Sequence, residues 1–131
     1  MTAQQKTVLV VDDDGDFREQ MRLTLEGAGY AVHTAPGQAE AERLLETLRP
    51  DIAILDLMME NMDGGFVLSY KIKKAYPGVP VIMVTAVTSE TGMVFDRTSP
   101  ESRSWLRADA ILAKPVRTEQ LTREITRLLG A

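Results

Sequence analysis

Val8-Leu9-Val10-Val11-Asp12-Asp13-Asp14 is the stretch on which the reading of this chain turns. Four apolar residues stand in a row with no polar alternation, as a strand reads when both of its faces are covered. Carboxylates follow at once. The same grammar returns twice, where Ile52-Ala53-Ile54-Leu55 runs into Asp56 and Val81-Ile82-Met83-Val84 runs into Thr85. Two weaker strands fit around these, Tyr30 to Ala35 and Ala110 to Ala113, the latter running into Lys114.

Helical periodicity fills the gaps. Phe17, Met21 and Leu25 are spaced by four and share a face. Asp16 with Glu19 predicts a capping box at the start of that helix, and Gly29 a stop. A second helix is predicted over Gln38 to Leu48, with Leu44, Leu45 and Leu48 inward and Pro50 just past its end. A third runs from Gly65 to Ala75, and a last from Thr118 to Leu129 with Leu121, Ile125, Leu128 and Leu129 on one side. Strand and helix in alternation predict an α/β fold, a doubly wound parallel sheet with helices on both faces. Thr88 to Arg107 is the irregular stretch, long, polar and broken by Pro100.

Composition narrows the function. The length of 131 residues suits one domain, 1–131. There are no cysteines, which removes disulfides, thiolate metal sites and cysteine nucleophiles. One histidine, His33, leaves no multi-histidine metal site and argues against a Ser-His-Asp triad; it reads as a surface or packing residue. A net charge of −4 argues against a broad surface for a phosphate backbone, so no direct nucleic-acid contact is expected. No apolar run approaches the roughly 18 residues of a membrane span, and the polar start, Met1 to Thr7, lacks a secretion-signal core. The expectation is a soluble cytoplasmic protein without membrane contact.

In a parallel sheet the strand ends gather on one edge, which is where open α/β folds bind ligands. Asp12, Asp13, Asp56, Thr85 and Lys114 should therefore converge. Clustered carboxylates repel, and a divalent cation relieves the repulsion. Oxygen ligands without His or Cys point to Mg²⁺, which often shares its shell with a phosphate. Mg²⁺ beside Lys114 makes a pocket for a phosphoryl group, with one carboxylate as nucleophile and an acyl phosphate as product. The bland readings differ by residue. Asp14 and Asp16 read better as helix caps, whereas capping needs only one acid and does not explain the Asp12–Asp13 pair. Trp105 reads either as an anchor for the irregular stretch or as a partner contact.

Val10-Val11-Asp12-Asp13, Leu55-Asp56-Leu57-Met58-Met59 with Met62-Asp63-Gly64, Val84-Thr85-Ala86 and Lys114-Pro115 together resemble the receiver domains of two-component response regulators, over almost the whole chain. The resemblance implies a flavodoxin-like (βα)5 fold with strand order 2-1-3-4-5. It implies that Asp56 is the phosphoacceptor and that Asp13, Asp56 and the backbone carbonyl of Met58 ligate Mg²⁺, with Asp12 on a metal-bound water. Lys114 would pair with the phosphoryl group and Thr85 turn its hydroxyl onto it. The implied partners are a sensor histidine kinase or histidine phosphotransfer protein and a downstream protein that reads the change of shape. Glu60 and Ile111 depart from the family pattern, which usually has proline and often an aromatic residue there. The stretch from Thr85 to Lys114 is longer than usual. The expected output surface is therefore the segment 88–107 near Trp105.

Two other readings compete. Val11-Asp12-Asp13-Asp14-Gly15 also resembles the first motif of haloacid dehalogenase-like phosphatases, with Asp12 as nucleophile. Those enzymes need a second acidic cluster, for which Asp96 and Asp109 are the late candidates. The chain would otherwise be a receiver cut from a larger DNA-binding regulator, although nothing in it resembles a basic recognition helix.

The residues two past Asp56 and Thr85 are Met58 and Val87, and neither side chain can position a water by hydrogen bonding. Acyl phosphates hydrolyse when a water is oriented for attack. A phosphorylated chain is thus expected to be long-lived for such a domain. Met58→Asn combined with Val87→Glu should shorten that lifetime, followed as loss of label from purified phosphoprotein; an unaltered decay rate would refute the argument.

Overall fold

Side chains alternate across a strand, so a sheet covered on both faces must be apolar at every position. The computed structural model describes residues 6–56, 64–85, 109–113 and 116–129. Within them the five predicted strands form: β1 (Thr7–Val11), β2 (Ala31–Ala35), β3 (Ile52–Asp56), β4 (Val81–Thr85) and β5 (Ala110–Ala113). They pair in parallel in the order β2-β1-β3-β4-β5. Four helices are described: α1 (Gly15–Gly27), α2 (Gln38–Leu45), α3 (Gly64–Ala75) and α4 (Thr118–Leu129). The expectations placed on Met58, Glu60, Val87, Asp96, Trp105, Lys114, Pro115 and the segment 88–107 fall outside the described residues.

Alternation sorts the core into two layers. Leu9, Val11, Ala53, Leu55, Val81, Met83 and Ile111 face α2 and α3, where Ala41, Leu68 and Ile72 meet them. Val8, Val10, Ile52, Ile54, Ile82, Val84 and Leu112 face α1 and α4, where Met21, Leu25, Leu121 and Ile125 meet them. Phe17, Leu128 and Leu129 pack partly buried against this second layer. His33 lies on edge strand β2 with its side chain exposed.

Local chemistry corrects three predicted boundaries. The cap of α1 is Asp14, whose Oδ1 accepts from Asp16 N–H at 3.0 Å and Phe17 N–H at 3.2 Å. Asp16 lies inside the first turn, where its own backbone is already helical, so the predicted Asp16–Glu19 capping box does not form. Glu19 instead pairs with Arg22 at 2.6 Å. The predicted stop holds: the helix ends at Gly27, and Tyr30 N–H returns to the Leu25 carbonyl at 3.0 Å over Gly29, whose φ of 99° suits a residue without Cβ. Tyr30 is thereby spent on the cap and β2 starts at Ala31. Helix α2 ends at Leu45, not Leu48, where the N–H groups of Glu46 and Thr47 tighten onto carbonyls three residues back. Leu44 and Leu45 pack on the core.

Between α2 and α3, Glu42 accepts from Lys71 at 2.9 Å and from Gln38 at 2.7 Å. The Lys71 ammonium, then the Gln38 amide, hold the Glu42 carboxyl below its usual range, against the opposing pull of burial. A lowered carboxyl favours the folded state at and above the ordinary glutamate range, and that contribution fades as pH falls through the lowered value.

At the edge where the strands begin, two aspartates tie neighbouring strands. Asp51, just before β3, donates its N–H to the Thr7 carbonyl at 2.8 Å and accepts Thr7 N–H on Oδ2 at 2.7 Å. Asp109, just before β5, does the same to Val81, at 2.8 Å in each direction, and its Oδ2 also takes Lys73 Nζ at 2.7 Å. Asp109→Ala leaves the N–H of a fully buried residue without its acceptor. It should destabilise the fold by about 1–3 kcal/mol in urea or guanidinium titrations. Divalent-cation affinity should stay at the parent value, because the acidic site lies at the other edge; a loss of affinity matching the loss of stability would contradict that separation.

Candidate functional site

The other edge gathers the predicted chemistry. Val11 is in register with Leu55, so Asp12 and Asp56 leave the sheet at one level, one residue on from that pair. Asp56 carries on the parity of Ile52 and Ile54, towards the α1 and α4 side. On the next strand Asp56 is level with Val84, and Thr85 follows one step later, itself level with Ala113. Lys114 comes directly after Ala113 in sequence but lies outside the described residues, as does Met58.

Asp12, Asp13 and Asp56 each present a carboxylate oxygen to a common space, all within 4.8 Å of one another. Asp12 and Asp56 are buried, at 1% and 5% exposure, and Thr85 is buried beside them at 4%. Asp13 is exposed and forms the open side. Two ionised oxygens at this range repel by about 3–4 kcal/mol at an effective dielectric of about 20. A divalent cation in the same space turns that repulsion into attraction. The donor set is oxygen without His or Cys, which fits a hard cation such as Mg²⁺ rather than zinc or copper.

The loop that carries the acidic pair is tied on three sides. Asp12 N–H donates to the Ala35 carbonyl at the end of β2 at 3.2 Å. Asp12 Oδ1 accepts from Asp14 N–H at 2.8 Å. The Asp12 carbonyl accepts from Arg18 Nη1, reaching back from α1, at 2.7 Å. The predicted residues Asp12, Asp13, Asp56 and Thr85 thus meet at one edge, and Arg18 is a participant that the sequence reading passed over. Asp109, a candidate for the second acidic cluster of a phosphatase, is at the opposite edge and bound to β4.

Comparison with known proteins agrees with this geometry. The family model for the response regulator receiver domain matches residues 8–126. The DNA-binding response regulator MtrA of Mycobacterium tuberculosis is 30% identical over 125 residues, 95% of this chain and 51% of that protein. The chain therefore spans about half the length of such curated relatives. Among solved structures, a CheY-like response regulator receiver domain protein from Methanospirillum hungatei superposes with a TM-score of 0.81 at 29% identity, covering 97% of this chain and 95% of that one. The response regulator TrrA from Thermotoga maritima, solved in complex with Mg²⁺-BeF, superposes with a TM-score of 0.77 at 27% identity, covering 95% and 99%.

If the three carboxylates act together on one cation, deleting one should be felt by the ion more than by the fold. Asp13 is exposed and packs against nothing in the core, so Asp13→Ala should leave the chelator-treated melting temperature near that of the parent. The same change should weaken Mn²⁺ binding at least about tenfold, read from the electron paramagnetic resonance signal of free Mn²⁺. Parent-like Mn²⁺ affinity in Asp13→Ala would remove this residue from the ligand set.

Proposed function

Because the chain belongs to the response regulator receiver domain family, we propose that Asp56 takes a phosphoryl group, with Mg²⁺ as cofactor, and that the receiver then changes shape to control a partner. The convergence of Asp12, Asp13 and Asp56 on one space carries this reading. The chain is a receiver of two-component signalling, a phosphoacceptor rather than an enzyme that turns over a separate substrate.

In this reading the roles of Asp12, Asp13, Asp56 and Thr85 are supported by their positions, and those of Met58 and Lys114 by the family resemblance. Asp56 ends a strand buried along its whole length, so its carboxylate is delivered to the edge with little freedom. One of its oxygens attacks the phosphorus of a phosphohistidine on a sensor kinase or histidine phosphotransfer protein. The new O–P bond replaces the P–N bond, and the histidine nitrogen leaves with the electron pair and takes up a proton. Asp12 and Asp13, with Asp56 and the Met58 carbonyl, would hold Mg²⁺. When bound, that ion offsets negative charge on the phosphoryl oxygens and on the acids around them. Lys114 supplies the second cation of the pocket. Thr85 is on the strand adjacent to Asp56, and its hydroxyl is the donor available to a phosphoryl oxygen once transfer is complete.

Among the described residues no helix is long and apolar enough to cross a membrane. A cytoplasmic place of action beside the kinase is supported by the receiver family instead. The net charge of −4 suits output through a protein partner rather than direct contact with nucleic acid.

Incubation with acetyl phosphate and Mg²⁺, followed by mass spectrometry, tests the assignment. The label should sit on Asp56. Asp56→Asn, nearly isosteric, should abolish labelling with an unaltered circular dichroism spectrum, and Thr85→Ala should still be labelled. Label on Asp12 would turn the reading towards the phosphatase chemistry, and equal labelling in excess chelator would remove the metal from it.

A further inference from the structure

Arg18 is in the wrong place for an ordinary helix surface. It sits in the first turn of α1, where the macrodipole is positive and a cation is disfavoured; the acids Asp14 and Asp16 occupy the same turn in the favoured sense. A residue that breaks a local rule needs a compensating contact. Arg18 has one: its side chain leans back over the start of the helix, as helical side chains do. There its Nη1 gives a 2.7 Å hydrogen bond to the Asp12 carbonyl, six residues upstream. Arg18 is half-buried in doing so.

The carbonyl that Arg18 holds belongs to the peptide between Asp12 and Asp13. That peptide plane sets the direction in which Asp13 leaves the backbone. Asp12 is fixed independently, by burial and by Asp14 N–H on its Oδ1. Asp13 is exposed and lacks a wall of side chains to hold it. Resting on the reading of Asp12, Asp13 and Asp56 as a metal site, we propose that Arg18 is a positioning residue for that site. It locks the Asp12–Asp13 peptide so that the Asp13 carboxylate faces the common space before the cation arrives. The lock removes conformational freedom that cation binding would otherwise have to remove.

Charge and positioning make opposite demands, and this makes the idea testable. A guanidinium near an acidic pocket repels a cation, so removing it for charge reasons alone would tighten binding. Loss of the lock loosens binding. Arg18→Met keeps an apolar stem and drops both donor and charge. Its Mn²⁺ dissociation constant, by electron paramagnetic resonance, should rise about tenfold, the low end of what loss of an outer support costs a metal site. Arg18→Lys, which keeps a donor able to reach back but lacks the planar fork, should recover part of the affinity. In labelling with acetyl phosphate, the Mg²⁺ concentration for half-maximal rate should rise in parallel. The rate at saturating Mg²⁺ should stay within about twofold of the parent, as it would not if the fold were merely damaged. Should Arg18→Met fail to fold, Arg18→Gln carries the same test, since its amide is too short to reach the carbonyl. Unchanged or tighter Mn²⁺ binding in the neutral variant overturns the proposal while leaving the metal site standing. Failure of the parent protein to bind Mn²⁺ overturns the site reading and this proposal together.

Discussion

Everything in this molecule depends on strands that run the same way. Parallel pairing forces each strand to start at one edge and finish at the other, whatever lies between them in sequence. Residues 12, 56 and 85 are far apart along the chain, yet each ends or directly follows a strand, so the sheet brings them to one edge. The hydrophobic effect drives that sorting. Strands β3 and β4 are buried at all five positions, and no shift of register could expose a face without placing Ile, Val or Leu in water.

Two edges made this way take on different work. The starting edge is closed by Asp51 and Asp109, whose carboxylates are satisfied by backbone N–H groups and, for Asp109, by Lys73. The finishing edge holds carboxylates turned toward one another. Both edges carry aspartates, and composition does not distinguish them. What differs is the grouping: at one edge each carboxylate is held singly by backbone N–H donors, at the other three carboxylates share one space. Aspartates paired with donors hold strands together, while crowded aspartates leave a demand for positive charge that a cation can meet.

The sheet was legible because its signal is strong and local. Continuous apolar runs such as Val8–Val11 admit little besides a strand covered on both sides, and an acid after such a run can be placed without coordinates. The amphipathic last helix, Thr118–Leu129, was legible to the residue because Leu121, Ile125, Leu128 and Leu129 fall at helical spacing. What escaped were features decided by competition between equivalent groups. Asp14 and Asp16 are both able to cap, and which does so depends on where the backbone first turns helical. Tyr30 has strand propensity, yet its N–H is drawn back by the Leu25 carbonyl. Asp109 looks in sequence like a stray acid in a polar stretch, and its bond to Val81 is visible only once β4 and β5 are neighbours. Arg18 left a faint trace, a base at the positive end of a helix, which propensity alone reads as a small cost.

The equal length of the strands has a consequence for how such a chain can vary. Strands β1 to β4 each span five residues, with Asp51 binding the first residue of β1 and Asp109 the first residue of β4. Strands β1 and β4 are clamped at the foot, and the heights of β1, β3 and β4 place Asp12, Asp56 and Thr85 at the working edge. One residue more or less would lift the side chain by about 3.3 Å and turn it to the opposite face. Connections carry no such measure, apart from the tied loop after β1, and can lengthen at small entropic cost. A chain of this kind is therefore free to acquire new outputs in its connections while its reactive groups stay in place, because length is conserved mechanically where position matters and left unregulated where it does not.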